Sequence, residues 1–119
     1  MKEAIIKRQG REISVSLLCE IDHHTAKIVR EAVDAEISRG ETERLVLDFS
    51  GVSFMDSSGI GLILGRAERA AEAGAELTVT GLSHTLLRLV RMSGIEKHGN
   101  IKILEQRLFK AAARSGRNG

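Results

Sequence analysis

Short apolar runs alternate along this chain with segments whose apolar residues recur at helical spacing, and that rhythm limits the choice of fold more than any other feature. Residues 4–8 and 13–19 have the look of extended strands, and the intervening Gln9-Gly10-Arg11 has turn chemistry, so the chain opens with a β-hairpin. Asp22 is placed to cap a helix on which Ala26, Val29, Val33 and Ile37 recur before Gly40 stops it. Residues 45–49 (LVLDF) read as a buried strand, and Ile60, Ile63, Leu64, Ala67 and Ala71 mark a second helical face ending near Gly74. There follow a strand over 77–80, a helix capped by Ser83, carrying Leu86, Leu89 and Val90 and ended by Gly94, a strand over 101–104 and a short closing helix.

After the hairpin, then, helices and strands alternate, which implies parallel strands with right-handed crossovers. The expected fold class is α/β, a mixed central β-sheet with helices packed on it, an N-terminal hairpin leading into the alternating part. In such sheets, functional loops lie beyond the carboxyl ends of the strands. Asp22 and the stretch FMDSSG (54–59) each follow a strand and open a helix, so both belong to one edge of the sheet.

With 119 residues there is room for one core of ordinary size, and that core is aliphatic: aromatics make up 3% and neither Trp nor Tyr occurs. The net charge of +2 comes from 18 basic and 16 acidic residues dispersed through the chain, so no concentrated cationic face is offered to a duplex and direct nucleic-acid binding is not expected. Residues 110–119 carry Lys110, Arg114 and Arg117 among Ser and Gly and read as a frayed tail. The N-terminus MKEAIIKRQG lacks a long apolar segment, the single Cys19 has no internal disulfide partner, and no apolar run is long enough to span a bilayer. These features lead to the expectation of a cytoplasmic protein with no membrane role.

The stretch FMDSSGIGLILG (54–65) sets an acid, two hydroxyls and several glycines among apolar side chains. A nucleophile elbow needs Gly-x-Ser-x-Gly, yet no glycine stands two residues before Ser57 or Ser58, and His23, His24, His84 and His98 form no supporting pattern. A phosphate-binding loop needs Gly-Lys followed by a hydroxyl residue, which is absent. Gly59-Ile60-Gly61 starts like a dinucleotide fingerprint, but Leu64 stands where the third glycine belongs, and Gly61 and Gly65 read as small residues that let the helix lie close to the sheet. Adjacent histidines diverge on a helix, so His23 and His24 read as capping or surface residues rather than metal ligands, and Cys19 as a small core residue. No catalytic residue, metal or cofactor is expected.

Two readings of Asp56-Ser57-Ser58 remain. Asp and Ser are favoured helix caps, which explains an ordinary helix start but neither the preceding Phe54-Met55 nor two consecutive serines. A serine hydroxyl at a helix N-terminus is also a good phosphoacceptor, because backbone amides and the helix dipole stabilise the added anion. On that reading the serine is a target, and the catalyst is another protein.

Three segments together, Glu20-Ile21-Asp22-His23-His24-Thr25-Ala26, Ser53-Phe54-Met55-Asp56-Ser57-Ser58-Gly59-Ile60-Gly61 and Met92-Ser93-Gly94-Ile95, strongly resemble the bacterial anti-sigma factor antagonists of the STAS domain family, most of all its stage II sporulation protein AA branch. The resemblance runs from the first strand to about Glu105 and implies a STAS domain over 1–107, followed by a helix end and basic flexible tail over 108–119. It implies a protein that is not an enzyme and that, when unphosphorylated, binds an anti-sigma factor serine kinase and so frees a sigma factor. Phosphorylation falls on the first serine after the motif's aspartate, here Ser57, and a serine phosphatase reverses it. Asp22, Asp56, Ser57, Ser58, Gly59 and Ile60 are the implied partner-binding residues. Where these relatives usually carry a glycine, this chain has Cys19, which bears on the backbone at the end of the second strand. A STAS-fold module of a general stress pathway is the alternative within the same fold; a small hydrolase using Ser57 or Ser58 with a histidine base is the alternative outside it.

Overall fold

The computed structural model describes residues 1–105. Strands β1 (Ala4–Gln9) and β2 (Glu12–Leu17) form an antiparallel hairpin about Gly10, whose φ of 59° supplies the left-handed conformation the tight turn needs. Helix α1 (His23–Ile37), β3 (Arg44–Asp48), α2 (Ser57–Glu72), β4 (Glu76–Thr80), α3 (His84–Ser93), a 3-10 turn (Ile95–Lys97) and β5 (Ile101–Ile103) follow. The five strands lie in sequence order, β1-β2-β3-β4-β5, and every pair after the hairpin is parallel. Each parallel pair is joined through a helix, since parallel neighbours need a crossover. The expected mixed α/β sheet is therefore present.

Register explains where the core sits. Ile13, Leu45, Leu77 and Ile101 form one cross-strand row and Val15, Leu47, Val79 and Ile103 another. Their alternation with Ser14, Val46 and Thr78 puts these aliphatic rows on a common face. The helices add Val29, Val33 and Ile37 from α1, Leu62, Ile63, Ala67 and Ala70 from α2, and Leu86 and Val90 from α3. Each fully buried aliphatic side chain contributes about 1.5–3 kcal/mol, so the sum over these rows dominates the fold.

The caps fall where the sequence places them. Asp22 closes a capping box with Thr25, Ser83 accepts from the Leu86 amide, and Gly94 ends α3 at φ 77°. Four expectations need correction. The α2 face is rotated: Ala71 is exposed, while Leu62, Ala70 and, unexpectedly, Arg66 are buried. A Cβ added to Gly61 or Gly65 would meet nothing within 4 Å, so these glycines border open space instead of packing on the sheet. Cys19 lies beyond β2 and is half-buried rather than a core residue. Helix α1 ends at Ile37 with Ser38 as its cap, two residues ahead of Gly40. The closing helix and basic tail fall largely on 106–119, outside the described residues.

Candidate functional site

Parallel β2 and β3 end at the same edge of the sheet, and a short bridge carries their alignment on into the loops. Ile21 donates its amide to the Phe54 carbonyl (3.0 Å) and accepts from the Asp56 amide (3.1 Å), pairing Ile21 with Met55 in parallel. Both side chains are buried, so the link is anchored in the core. One residue beyond the bridge on each chain stands an aspartate, Asp22 or Asp56, and directly after each a helix begins. This is the geometric content of the two motifs: the starts of α1 and α2 are held side by side.

At the first start, Asp22 Oδ1 accepts from the Thr25 amide (2.9 Å), and Thr25 Oγ1 accepts from the Asp22 amide (2.9 Å). The Thr25 amide is the main cause that holds the Asp22 carboxyl below its ordinary pKa; the Thr25 hydroxyl and His24 add to it, against a smaller desolvation effect. At the second start, Asp56 Oδ1 accepts from the Ser58 amide (2.7 Å). Ser57 is the first residue of α2; it is exposed, and its hydroxyl makes no hydrogen bond among the described residues. Ser58 and Ile60 are half-buried. Gly59 is buried because the turn lies against Met55: a Cβ there would stand 2.5 Å from Met55 Sδ. The Phe54-Met55 pair is thereby divided, Met55 filling the core under Gly59 while Phe54 remains 53% exposed beside the caps.

His23 and His24 are both exposed at the start of α1. No histidine bonds to Ser57 or Ser58 among the described residues, and no cluster of His, Cys, Asp and Glu there has metal-binding geometry. Cys19 Sγ faces the Glu3 carbonyl at 3.8 Å, and burial together with Glu3 pushes the thiol pKa up, which keeps it protonated and unreactive. No described helix is long and apolar enough to cross a membrane.

Sequence reasoning brought together Asp22, Asp56, Ser57 and Ser58 and missed Arg66. Arg66 is only 6% exposed, and its guanidinium Nε sits 2.8 Å from Asp34 on α1. A charged residue scores as solvent-facing in a hydropathy pattern; the signal for it lay in the apolar spacing of Leu62, Ile63, Ala67 and Ala70, which brackets position 66.

Residues 3–109 match the STAS domain. Over 83 residues, 70% of this chain and 71% of the relative, the sequence is 42% identical to the anti-sigma F factor antagonist of Paenibacillus polymyxa. It is 33% identical over 102 residues, 85% of the chain and 88% of the relative, to the anti-sigma-B factor antagonist of Listeria monocytogenes. Its fold matches the anti-sigma factor antagonist SpoIIAA in its unphosphorylated form with a TM-score of 0.70 and 26% identity, covering 94% of this chain and 96% of that one. SpoIIAA in the phosphorylated form matches with a TM-score of 0.64 and 27% identity, covering 94% and 98%. The chain belongs to the STAS domain family, and the curated relatives it resembles are anti-sigma factor antagonists.

Proposed function

We propose that this protein is a cytoplasmic anti-sigma factor antagonist of the SpoIIAA type that binds an anti-sigma factor serine kinase through the paired helix starts, and that phosphorylation of Ser57 switches it off. The observation that carries this reading is the exposed Ser57 hydroxyl at the first position of α2, without a hydrogen bond among the described residues, next to Asp56 and on the helix start that the Ile21–Met55 bridge aligns with the one capped by Asp22. A kinase can reach such a hydroxyl without unfolding anything. The existence of SpoIIAA, a relative in fold and sequence, in both unphosphorylated and phosphorylated forms supports a modification of this kind.

Asp22, Asp56, Ser58 and Ile60 surround the acceptor and form the docking surface, with Gly59 setting the turn from below. Exposed Phe54 supplies an apolar contact at its margin. Phosphorylation adds a charge of about −1.5 to −2 at a surface that already carries two carboxylates. Like charges about 4 Å apart repel by roughly 4 kcal/mol at an effective dielectric near 20, enough for about three decades in affinity against a partner that presents an acid or a nucleotide phosphate there. The switch is local and electrostatic, requiring no change of fold. A separate serine phosphatase removes the phosphate and restores binding.

The sporulation and stress alternatives share this chemistry and differ in the partner. The higher identity to the sigma F antagonist favours the sporulation type. The deciding experiment mixes the protein with its kinase and magnesium ATP, locates the phosphate by tandem mass spectrometry and follows the complex on a sizing column. Phosphate on Ser57 with loss of the complex is expected; phosphate elsewhere, or a complex that survives Ser57 phosphorylation, defeats the reading.

A further inference from the structure

Two large apolar side chains stand open to solvent on adjoining loops at the carboxyl edge of the sheet. Leu18, just beyond β2, is 47% exposed, and Phe54, in the loop after β3, is 53% exposed. The loops run side by side: Gly51 lies against Leu17 and Leu18, and the Ile21 amide donates to the Phe54 carbonyl. Each residue adjoins a buried side chain, Leu17 or Met55, so alternation along an extended backbone turns Leu18 and Phe54 away from the core.

An exposed leucine by itself is ordinary on a protein surface and needs no explanation. Phe54 does need one. The other phenylalanine among the described residues, Phe49, is fully buried, and the adjacent Met55 fills the space under Gly59, so the packing of this loop makes no demand for an aromatic at position 54. Polar neighbours ring the pair: Glu20 and Ser53 are exposed, as is Ser57. An apolar centre within a polar rim is the anatomy of a protein–protein contact.

Position supplies the occupant. Consecutive Cα atoms are about 3.8 Å apart, so Phe54 stands within about 11 Å of Ser57. A standard interface buries about 800 Å² on each partner, a disc of roughly 16 Å radius. A protein that seats its active site on Ser57 therefore covers Phe54, and its footprint extends to the loop 18–20 through the Ile21 pairing. We infer that Phe54 and Leu18 form an apolar anchor for the kinase that modifies Ser57, and that the kinase presents an apolar pocket to them beside its active site. This inference rests on the kinase reading above and divides the labour within it. The anchor supplies affinity, because a half-exposed aromatic gains by losing water, whereas the carboxylates around Ser57 lose their hydration on docking. The charge state of Ser57 then decides whether that affinity is used.

The test is calorimetric titration of the whole, unphosphorylated protein with its anti-sigma factor kinase, paired with steady-state phosphorylation of Ser57 read by mass spectrometry. Phe54→Ser should weaken the complex by about tenfold or more and Leu18→Ser by about threefold or more, with melting temperatures close to that of the wild type. Phe54→Leu, which keeps an apolar side chain, should retain most of the affinity. In phosphorylation, Phe54→Ser should raise KM while kcat stays within about twofold, because the reacting atoms are untouched. Met92→Ser is the control: Met92 is 81% exposed but lies near the far end of α3, which runs back from the carboxyl edge, so its loss should leave binding unchanged. Wild-type affinity in Phe54→Ser, an equal loss in Met92→Ser, or a fall in kcat with KM unchanged overturns the anchor. A Phe54→Ser protein that fails to fold also overturns it, since the core would then be what needs Phe54. A wild type that binds and is phosphorylated while both serine variants match it defeats the anchor alone; a wild type that neither binds nor is phosphorylated defeats the kinase reading as well.

Discussion

Asp34 Oδ1 and Arg66 Nε stand 2.8 Å apart, a salt bridge that joins α1 to α2 along the faces they bury against each other. Asp34 is partly open to solvent, with 35% of its side chain exposed, whereas Arg66 is not, so the two partners contribute unequally. Replacing Asp34 with Ala leaves a buried guanidinium uncompensated and is expected to destabilise the fold by about 1–3 kcal/mol. The double replacement Asp34→Ala with Arg66→Met should be less destabilising than the sum of the singles, because it removes the stranded charge as well. Urea denaturation of the four proteins closes the cycle; strict additivity would show that the pair is not coupled.

Two glycines one half-turn apart on α2 are predicted to respond in opposite directions. Gly59→Ala drives a Cβ to 2.5 Å from Met55 Sδ, with Met55 Cγ and Cβ also close, and should cost about 1–3 kcal/mol. Gly61→Ala meets nothing and should stabilise by up to about 1 kcal/mol through helix propensity. Thermal denaturation of the pair is the check, and a shift of the same sign in both would contradict the packing described for Met55.

Ser57 is expected to separate binding from stability. Ser57→Asp should weaken kinase binding by roughly two to three decades while leaving the melting temperature nearly unchanged, since the side chain is exposed and forms no described hydrogen bond. Ser57→Ala should bind and resist inactivation. Calorimetric titration alongside a melting curve distinguishes these outcomes from a structural defect, which would lower both together.

Acid should act partly through Asp22. Its carboxyl is held below its ordinary value of 3.8, chiefly by the Thr25 amide. A lowered native pKa means that the capping contribution is complete above that ordinary value and is lost as pH falls through the native one. Asp22→Asn keeps a good cap without a titrating group. Melting temperatures measured from about pH 6 down to about pH 2 should therefore fall more steeply for the wild type than for the variant, and parallel curves would remove Asp22 from the acid response.

Much of this architecture was legible in the sequence because local chemistry and global packing agree. Gly10, Asp22, Ser83 and Gly94 each mark an element boundary by a specific backbone or capping need, and the aliphatic strands could be read from their apolar runs. The pairing of Asp22 with Asp56 at one edge followed from parallel topology. What escaped was orientation about a helix axis. Counting Ala71 as an inward position while passing over Gly59, Leu62 and Ala70 turned α2 away from its true face, which comprises Gly59, Leu62, Ile63, Arg66, Ala67 and Ala70. Periodicity cannot tell a glycine under pressure, such as Gly59, from one beside a void, such as Gly61; only the neighbours do. The 3-10 turn at Ile95–Lys97 likewise carries too few residues to leave a period.

The Ile21–Met55 bridge also has a bearing on how such a chain can diverge. Because two main-chain hydrogen bonds fix the rise of one loop against the other, the stretches 18–20 and 49–54 have coupled lengths. A residue gained or lost in either would advance its aspartate past the opposite one and set the two helix starts out of step. Exposed side chains in these loops, such as Leu18 and Ser53, can vary without cost to the bridge, whereas Gly51, whose Cβ would stand 2.7 Å from the Leu17 carbonyl, and buried Val52 cannot, and an insertion is tolerated only if both loops change together. The two spacings between strand end and aspartate are thus expected to change only as a matched pair.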